Sequence, residues 1–254
     1  MADIDQILVI HDYSTRRGGA STLAVEAVQQ YRARGIPVTL FSGEVENEAL
    51  QETGAKSVSR GAKPLRELPT LSALSQGYHR SATAKALGAW IAQNDTPGTV
   101  YHMNNWSQTL SPSVFEPLRQ VADRTVITCH DYFNTCPNGA FLHFGRSQAC
   151  TLKPLSLACA TSACDRRSHL HKLWRLARQR HLNAVADFGR APYTFSFIHE
   201  RMRDRFEAAG FPIENSTVIR NPVEAWCNER VQAERNSDFF FVGGGIWADA
   251  HRTR

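Results

Sequence analysis

The chain has 254 residues, of which 42% are hydrophobic and 21% are charged, a composition typical of an ordinary globular protein. No run approaches the roughly 18 consecutive apolar residues of a membrane-spanning helix. Residues 1–6 carry two acids and no basic stretch, so we expect a cytoplasmic protein without a secretory signal. The net charge of +5 and the pI of about 9.0 favour anionic partners, namely nucleotide phosphates, nucleic acid or an anionic membrane surface.

The first third of the chain predicts a β-α-β unit. Residues 7–11 form an apolar run that suits a buried parallel strand, and residues 38–41 form a second one. Between them, residues 21–34 have the spacing of an amphipathic helix, which Gly35 ends in a left-handed turn. Such a unit is the building block of a doubly wound, mostly parallel sheet, so we expect a Rossmann-like α/β fold.

The remaining elements are predicted from the same patterns. In chain order they are helices over 71–93, 113–121, 168–181 and 198–209, and strands over 99–103, 125–129, 217–219 and 238–242. Residues 45–69 are polar and irregular, and residues 136–164 form a loop-rich insertion containing cysteines. A final strand that opens a β-α-β unit cannot bury both of its faces, so we interpret the chain as unfinished at its C-terminus. We expect one domain over 1–222, followed over 223–254 by a hinge and an aborted first strand of a second domain.

A glycine pair lies between the first strand and the first helix. Gly18 and Gly19 allow a ligand to approach the backbone closely, and the helix N-terminus offers unpaired N–H groups to a phosphate. Arg16 and Arg17 precede them and favour an anion site. The spacing is not that of the dinucleotide-binding fingerprint, and a plain tight turn is the alternative.

Polar residues cluster where two predicted strands end, at the sheet edge where parallel sheets bind ligands. His130 and Asp131 directly follow the strand over 125–129, and a histidine there can exchange hydrogen bonds with a sugar hydroxyl. The preceding strand leads in the same way to His102, Asn104, Asn105 and Trp106. An aromatic ring beside amides and imidazole suits sugar binding, whereas a structural hydrogen bond is the alternative role of His130.

Five of the six cysteines fall within residues 129–164. Four of them could close a tetrahedral zinc site in a loop that has no core of its own: Cys136, Cys150, Cys159 and Cys164. An iron–sulfur cluster uses the same four ligands. Their spacing contains no C-x2-C pair, so four unlinked thiols remain the alternative. Because all four ligands would come from the protein, the zinc site is predicted to be structural.

Residues 166–181 predict a strongly basic helix. An apolar stripe runs along it through Leu170, Leu173, Trp174 and Ala177. Such a helix can lie on an anionic membrane or bind nucleic acid. The plainer interpretation is that the stripe packs on the core and leaves the charges in solvent.

Taken together, these segments resemble the subfamily-4-like N-terminal domain of glycosyltransferase family four. The glycine pair, helix and strand over 18–41 are similar to the opening of that domain. Residues 128–133, with the Cys-Pro-Asn-Gly of residues 136–139, are similar to a T-x-H-D-Y…C-P-x-G segment in a branch with extra cysteines. Residues 218–223 resemble the hinge that precedes the second domain.

The resemblance implies the N-terminal half of a GT-B glycosyltransferase that transfers a sugar from a nucleotide-sugar donor with retention and without a catalytic metal. The acceptor would be a glycan or a lipid-linked molecule, as in polysaccharide biosynthesis. By similarity, Gly18 and Gly19 would approach the donor phosphates and His130 would lie near the reacting centre. The residues around the strand over 99–103 and Asp131 would belong to the acceptor side. The basic helix would lie there too, facing an acceptor at the inner membrane surface.

The C-terminal end departs from the family pattern. Gly243 is followed by Gly244, and no x4-K-G segment comes after it, although the family's second domain uses such residues to grip the donor. We therefore expect this chain alone to bind donor poorly and to turn over little. A non-catalytic, metal-stabilised Rossmann-like binding module is the alternative. A nucleic-acid-binding protein ranks last, because the aromatic and basic interleaving of an RNA-binding sheet is absent from the sequence.

Overall fold

The computed structural model describes residues 4–44, 54–223, 229–230 and 232–235. The chain divides into two compact units, Met1–Asn221 and Pro222–Arg254. Within the second unit, the described element is a 3-10 turn over Ala233–Arg235. The predicted strand over 238–242 lies outside the described residues, so the two-domain assignment stays a prediction.

The first unit is built on a parallel sheet of seven strands. The strands among the described residues are β1 (Gln6–His11), β2 (Val38–Ser42), β3 (Lys56–Ser59), β4 (Thr99–Met103), β5 (Thr125–Cys129), β6 (Leu142–His143), β7 (Gln148–Ala149), β8 (Thr194–Phe197) and β9 (Ser216–Val218). The sheet order is β3-β2-β1-β4-β5-β8-β9, while β6 and β7 form a small antiparallel hairpin. The predicted Rossmann-like α/β fold is confirmed. The strand order reverses between β1 and β4, which places the ligand crevice of such folds at their carboxyl ends.

Helices connect these strands. They are α1 (Gly19–Ala33), α2 (Thr70–Tyr78), α3 (Ser81–Asn94), α4 (Phe115–Leu118), α5 (Leu157–Thr161), α6 (His169–Ala186) and α7 (Glu200–Ala208), and 3-10 turns over Pro112–Val114 and Arg119–Arg124 flank α4. No described helix is both long enough and apolar enough to cross a membrane. The single helix predicted over 71–93 is two helices, because the chain is extended at His79 and the Arg80 guanidinium turns inward to donate to the Thr109 carbonyl at 2.6 Å.

Both faces of the sheet are covered. Ile7 and Val9 pack on one side with Val28 of α1, whereas Leu8 and Ile10 pack on the other side with the larger core cluster. Successive side chains of a strand point to opposite faces, so a strand buried on both sides is an unbroken apolar run. This is why β1 and β2 were predictable. The edge strand β3 and the inner strand β8 were not predicted, because polar residues interrupt both of their short sequences (KSVS and TFSF).

The buried face of α6 differs from the predicted stripe. Leu170 and Leu173 are 78% and 45% exposed. The buried residues of this helix are instead Lys172, Leu176, Arg178, Gln179, Leu182 and Ala186. Polar side chains are tolerated there because they have partners: for example, the Gln179 amide donates to the Asn134 carbonyl at 3.2 Å. The prediction that the charges of this helix all lie in solvent was therefore wrong.

Asp12 holds the two sides of the crevice together. It follows β1, and its side chain is buried. Its carboxylate accepts backbone N–H groups from Gln108 at 3.0 Å, Thr109 at 2.7 Å and Leu110 at 3.1 Å, all in the loop after β4. The Thr109 hydroxyl donates to the same carboxylate at 2.9 Å. The loop that borders the crevice is thus fixed to the end of the neighbouring strand.

Replacing Asp12 by Asn should destabilise the fold without a change of side-chain size. The new NH2 group would face backbone donors, leaving a buried N–H unpaired at a cost of roughly 1–3 kcal/mol for each group. Urea denaturation should show a loss of about this size for Asp12→Asn. The matched control is Asp204→Asn, whose side chain is 58% exposed and should change stability by less than about 0.5 kcal/mol. Equal stability of the two variants would contradict the role of Asp12.

Candidate functional site

A histidine–asparagine pair lies at the carboxyl ends of β4 and β5. His130 follows β5 and Asn104 follows β4, and His130 Nε2 donates to Asn104 Oδ1 at 2.9 Å. Because the amide oxygen can only accept, this bond puts the imidazole proton on Nε2 and leaves Nδ1 as an acceptor. Asn105 and Asp131 line the same narrow cleft. With Trp106, which also lines this cleft, five of the predicted site residues are brought together at the sheet edge where ligands bind.

The electrostatic environment keeps His130 neutral. Burial, and secondly the neighbouring His11 and His102, lower the pKa of His130 to about 4. Burial raises the pKa of Asp131 to about 6, although its carboxylate accepts the Phe133 N–H at 2.9 Å. At neutral pH the imidazole is thus a hydrogen-bonding group without charge, whereas the carboxyl titrates close to the physiological range.

His11 belongs to the same crevice and was missed by the sequence analysis. It is the last residue of β1, and its Nδ1 accepts the Tyr13 N–H at 2.9 Å. Its Nε2 is buried, and in the described part of the chain it has no hydrogen-bond partner. Burial lowers the pKa of His11. A polar residue ending an otherwise apolar strand was the signal that could have identified it.

Two residues predicted for the acceptor side instead have partners inside the fold. His102 lies within β4, where Tyr31 Oη bonds to its Nδ1 at 3.1 Å and Thr128 Oγ1 bonds to its Nε2 at 2.9 Å. Trp106 is 4% exposed, and its indole N–H donates to Asn134 Oδ1 at 2.9 Å. His102 thereby links β4 to α1 and β5, and Trp106 forms part of the wall behind the cleft.

The glycine pair forms an exposed start of α1. Gly18 is the residue before the first turn, and the Ser21 hydroxyl accepts its N–H at 2.9 Å. A Cβ atom built on Gly18 or Gly19 would meet nothing within 4 Å. Arg17 is paired with the buried carboxylate of Glu44. The predicted anion site would therefore depend on the helix N-terminus and open backbone, since the charge of Arg17 is already balanced.

A basic and aromatic cavity adjoins the His130 cleft, since Ser107 and Phe133 line both. Its volume is about 270 Å³, and its lining includes Arg66, Arg167, His171, Trp174, Arg175 and Arg178. Arg178 donates to the Ser107 carbonyl at 2.9 Å, and its guanidinium lies 4.7 Å from the Trp106 ring centroid. Burial lowers the pKa of Arg178 to about 10, so it is still charged at neutral pH.

The four cysteines of the predicted metal site lie in or beside the loop insertion, and each is a free thiol. Cys136, Cys159 and Cys164 are buried and Cys150 is partly exposed. Throughout the described residues, no group of three or more closely spaced potential ligand atoms includes a cysteine sulfur. The structural metal site on these four cysteines therefore stays a prediction.

An ammonium group lies near three of these thiols. Lys172 Nζ donates to Cys164 Sγ at 2.7 Å. Burial lowers the pKa of this lysine, but the bond to Cys164 and the nearby Cys159 and Cys136 outweigh it, so the pKa is raised overall. The loop insertion is therefore held to α6 by a buried, charge-assisted contact.

Comparison with known proteins gives a fold-level likeness. No protein-family profile and no curated protein matches the chain. Among solved structures, it is similar to Phytolacca americana UGT2 complexed with UDP-2fluoro-glucose and pterostilbene, with a TM-score of 0.41 and 12% identity. The match covers 86% of this chain and 53% of that chain, so this chain spans about half the length of the chain it matches.

The buried histidines should make the stability of the fold depend on pH. The folded pKa of His102 is about 4, against an ordinary value of about 6.5. The unfolded chain therefore binds more protons between these values, and this contribution is complete above pH 6.5 and is lost as the pH falls towards 4. The free energy of unfolding should therefore be higher at pH 7 than at pH 5. In His102→Gln this difference should be smaller than in the wild type by on the order of 1–2 kcal/mol.

Urea denaturation at both pH values measures this effect. His169→Gln, an exposed histidine on α6, is the matched control and should retain the wild-type difference. Asp131 acts in the opposite sense, because its raised pKa favours the folded state at lower pH. A pH dependence unchanged in His102→Gln would show that this histidine is not buried in its neutral form.

Proposed function

We propose that this chain carries the acceptor-side domain of a retaining, nucleotide-sugar-dependent glycosyltransferase. The observation that carries the proposal is the neutral His130, held by Asn104 in the crevice of a Rossmann-like sheet. It lies in the T-C-H-D-Y segment that resembles glycosyltransferase family four. Strand β1 lies beside β4, and the helix that follows it begins at the glycine pair at the same edge of the sheet. A helix N-terminus at this position offers backbone N–H groups to the phosphates of a donor.

In this proposal the roles are divided between two parts of the crevice. The imidazole of His130 accepts a hydrogen bond from a sugar hydroxyl at Nδ1, which orients the sugar without adding charge. The diphosphate of the donor enters the open space at Gly18 and Gly19 and accepts hydrogen bonds from N–H groups at the start of α1. Stabilising negative charge as it develops on the leaving diphosphate is the largest contribution available to such a reaction.

The cavity beside the cleft suggests the chemical class of the acceptor. Arg175 is balanced by Asp165 at 3.1 Å and Arg66 lies 3.8 Å from Glu67, but Arg167 and Arg178 leave the cavity with an excess of positive charge. Aromatic rings line the same space and can stack on a sugar or pack against a lipid. We propose a glycan or lipid-linked acceptor that bears an anionic group, reached from an anionic membrane surface.

A non-catalytic binding module of the same fold is the second candidate. It would use the same crevice residues around His130, and it would bind a sugar or nucleotide without transfer. Transfer activity separates the two candidates, because a binding module would occupy the crevice without breaking the glycosidic bond of a donor.

Removing the imidazole should abolish sugar recognition at the crevice. In saturation-transfer NMR with a panel of nucleotide sugars and glycans, His130→Ala should lose most of the signal from sugar protons, because the acceptor at Nδ1 is gone. His199→Ala is unsuitable as a control, because the His199 side chain caps α7 and its loss could disturb the helix. His169→Ala, at an exposed position on α6, is therefore the cleaner control and should bind as the wild type does.

The same panel of nucleotide sugars and glycans distinguishes the transferase from the binding module. Saturation of sugar protons that depends on His130, with slow transfer or donor hydrolysis, supports the transferase. Binding without any turnover, even at high protein concentration, favours the binding module. No saturation of any sugar would contradict both candidates.

Adding a methyl group at the start of α1 should weaken phosphate binding alone. Gly19→Ala introduces a Cβ that meets no protein atom within 4 Å, so the fold should be unaffected. If phosphates contact this backbone, the affinity for uridine, guanosine or adenosine diphosphate should fall about tenfold, or roughly 1.4 kcal/mol. Gly189→Ala is the matched control, because its Cβ also meets nothing within 4 Å. Equal diphosphate affinity in both variants would remove this turn from the donor site.

A further inference from the structure

Three side chains from different helical segments converge away from the crevice. His79 directly follows α2, Glu116 lies in α4 and His181 lies in the second half of α6. Their potential ligand atoms, two imidazole nitrogens and a carboxylate oxygen, all lie within 4.8 Å of one another. Neither the proposed sugar transfer nor the cysteine loop uses any of them.

Two of the three distances among these atoms match the edges of a zinc coordination tetrahedron. His79 Nδ1 lies 3.3 Å from His181 Nε2 and 3.4 Å from Glu116 Oε1. Zinc bonds of about 2.0–2.1 Å place neighbouring tetrahedral ligands about 3.3 Å apart. An octahedral ion of similar bond length would bring adjacent ligands closer, to about 3.0 Å. The spacing therefore favours tetrahedral zinc.

The rings are also held in place and reachable by an ion. Tyr78 stacks on the His181 ring with centroids 4.6 Å apart and an angle of 16°. The side chains of His79 and Glu116 are 35% and 38% exposed, so an ion can enter from solvent. Two histidines and one glutamate leave the fourth position of a tetrahedron to water, an arrangement that zinc adopts in proteins.

We propose that His79, Glu116 and His181 bind a zinc ion. The ion would connect the end of α2 to α4 and α6, three segments that are far apart in sequence. Because α6 also carries the buried cations of the basic cavity, zinc at this position would stabilise the wall of that cavity. The alternative is a metal-free arrangement, in which the two imidazoles share a hydrogen bond and Glu116 pairs with His79 when it is protonated.

Zinc titration of the full chain after chelator treatment tests the proposal. Isothermal titration calorimetry should give one more bound equivalent for the wild type than for His181→Ala. Since even outer-shell partners cost about 10- to 100-fold in metal affinity, loss of a direct ligand should weaken this site by roughly 100-fold or more. His169→Ala, an exposed histidine on the same helix, should bind as the wild type does.

A second variant controls for misfolding, and a spectrum distinguishes this site from metal bound by the cysteines. Glu116→Gln keeps the side-chain shape and should lose the same equivalent while its circular dichroism stays unchanged. Cobalt bound at this site should give d–d bands without the thiolate charge-transfer absorption that cysteine ligation produces. Equal stoichiometry and affinity in the wild type, His181→Ala and Glu116→Gln would overturn the proposal, as would a zinc equivalent that reports thiolate ligation alone.

Discussion

The carboxylate of Asp12 is the constraint on which the crevice depends. In an open parallel sheet, the gap at the reversal of strand order is bordered by loops, which have no ladder of hydrogen bonds to hold them. Here one buried carboxylate receives three consecutive backbone N–H groups of residues 108–110 and so fixes the loop after β4 to the end of β1. The same negative charge opposes the effect of burial on the pKa of Arg80 and Arg178. One group therefore positions the backbone of the crevice and balances the cations behind it.

The buried cations of α6 follow from this arrangement. Burying an ammonium or guanidinium group is costly unless it is bonded and partly neutralised. Lys172 has the Cys164 sulfur, and Arg178 has the Ser107 carbonyl together with the face of Trp106. These contacts join α6 to the cysteine loop at one end and to the crevice at the other. A fully apolar helix face would pack as well, but it would offer no positive charge beside the cleft.

The sequence predicted the parts of the fold that depend on local pattern. β1, α1 and β2 follow from unbroken apolar runs and helical spacing, and the histidine after β5 was placed at the carboxyl edge of the sheet by strand polarity alone. β8 was missed because two hydroxyl residues interrupt its aromatic residues, although the finished sheet buries most of it. The buried face of α6 could not be predicted, since Lys172 and Arg178 point inward toward partners outside the helix, the Cys164 sulfur and the Ser107 carbonyl. His11 was missed because a strand's last residue gives no periodic signal.

In the crevice, the side chains that can orient a ligand are different from the groups that supply positive charge. His102 and His130 are both neutral at pH 7, because burial lowers the pKa of each to about 4. Positive charge near a bound ligand must then come from fixed sources, which are the N-terminal dipole of α1 and the guanidinium of Arg178. A neutral imidazole can orient a hydroxyl without competing for an anion, and its state does not change between pH 5 and pH 8. In the proposed function this arrangement would suit a ligand that combines a sugar with a phosphate, because the sugar would meet the neutral imidazole and the phosphate the start of α1.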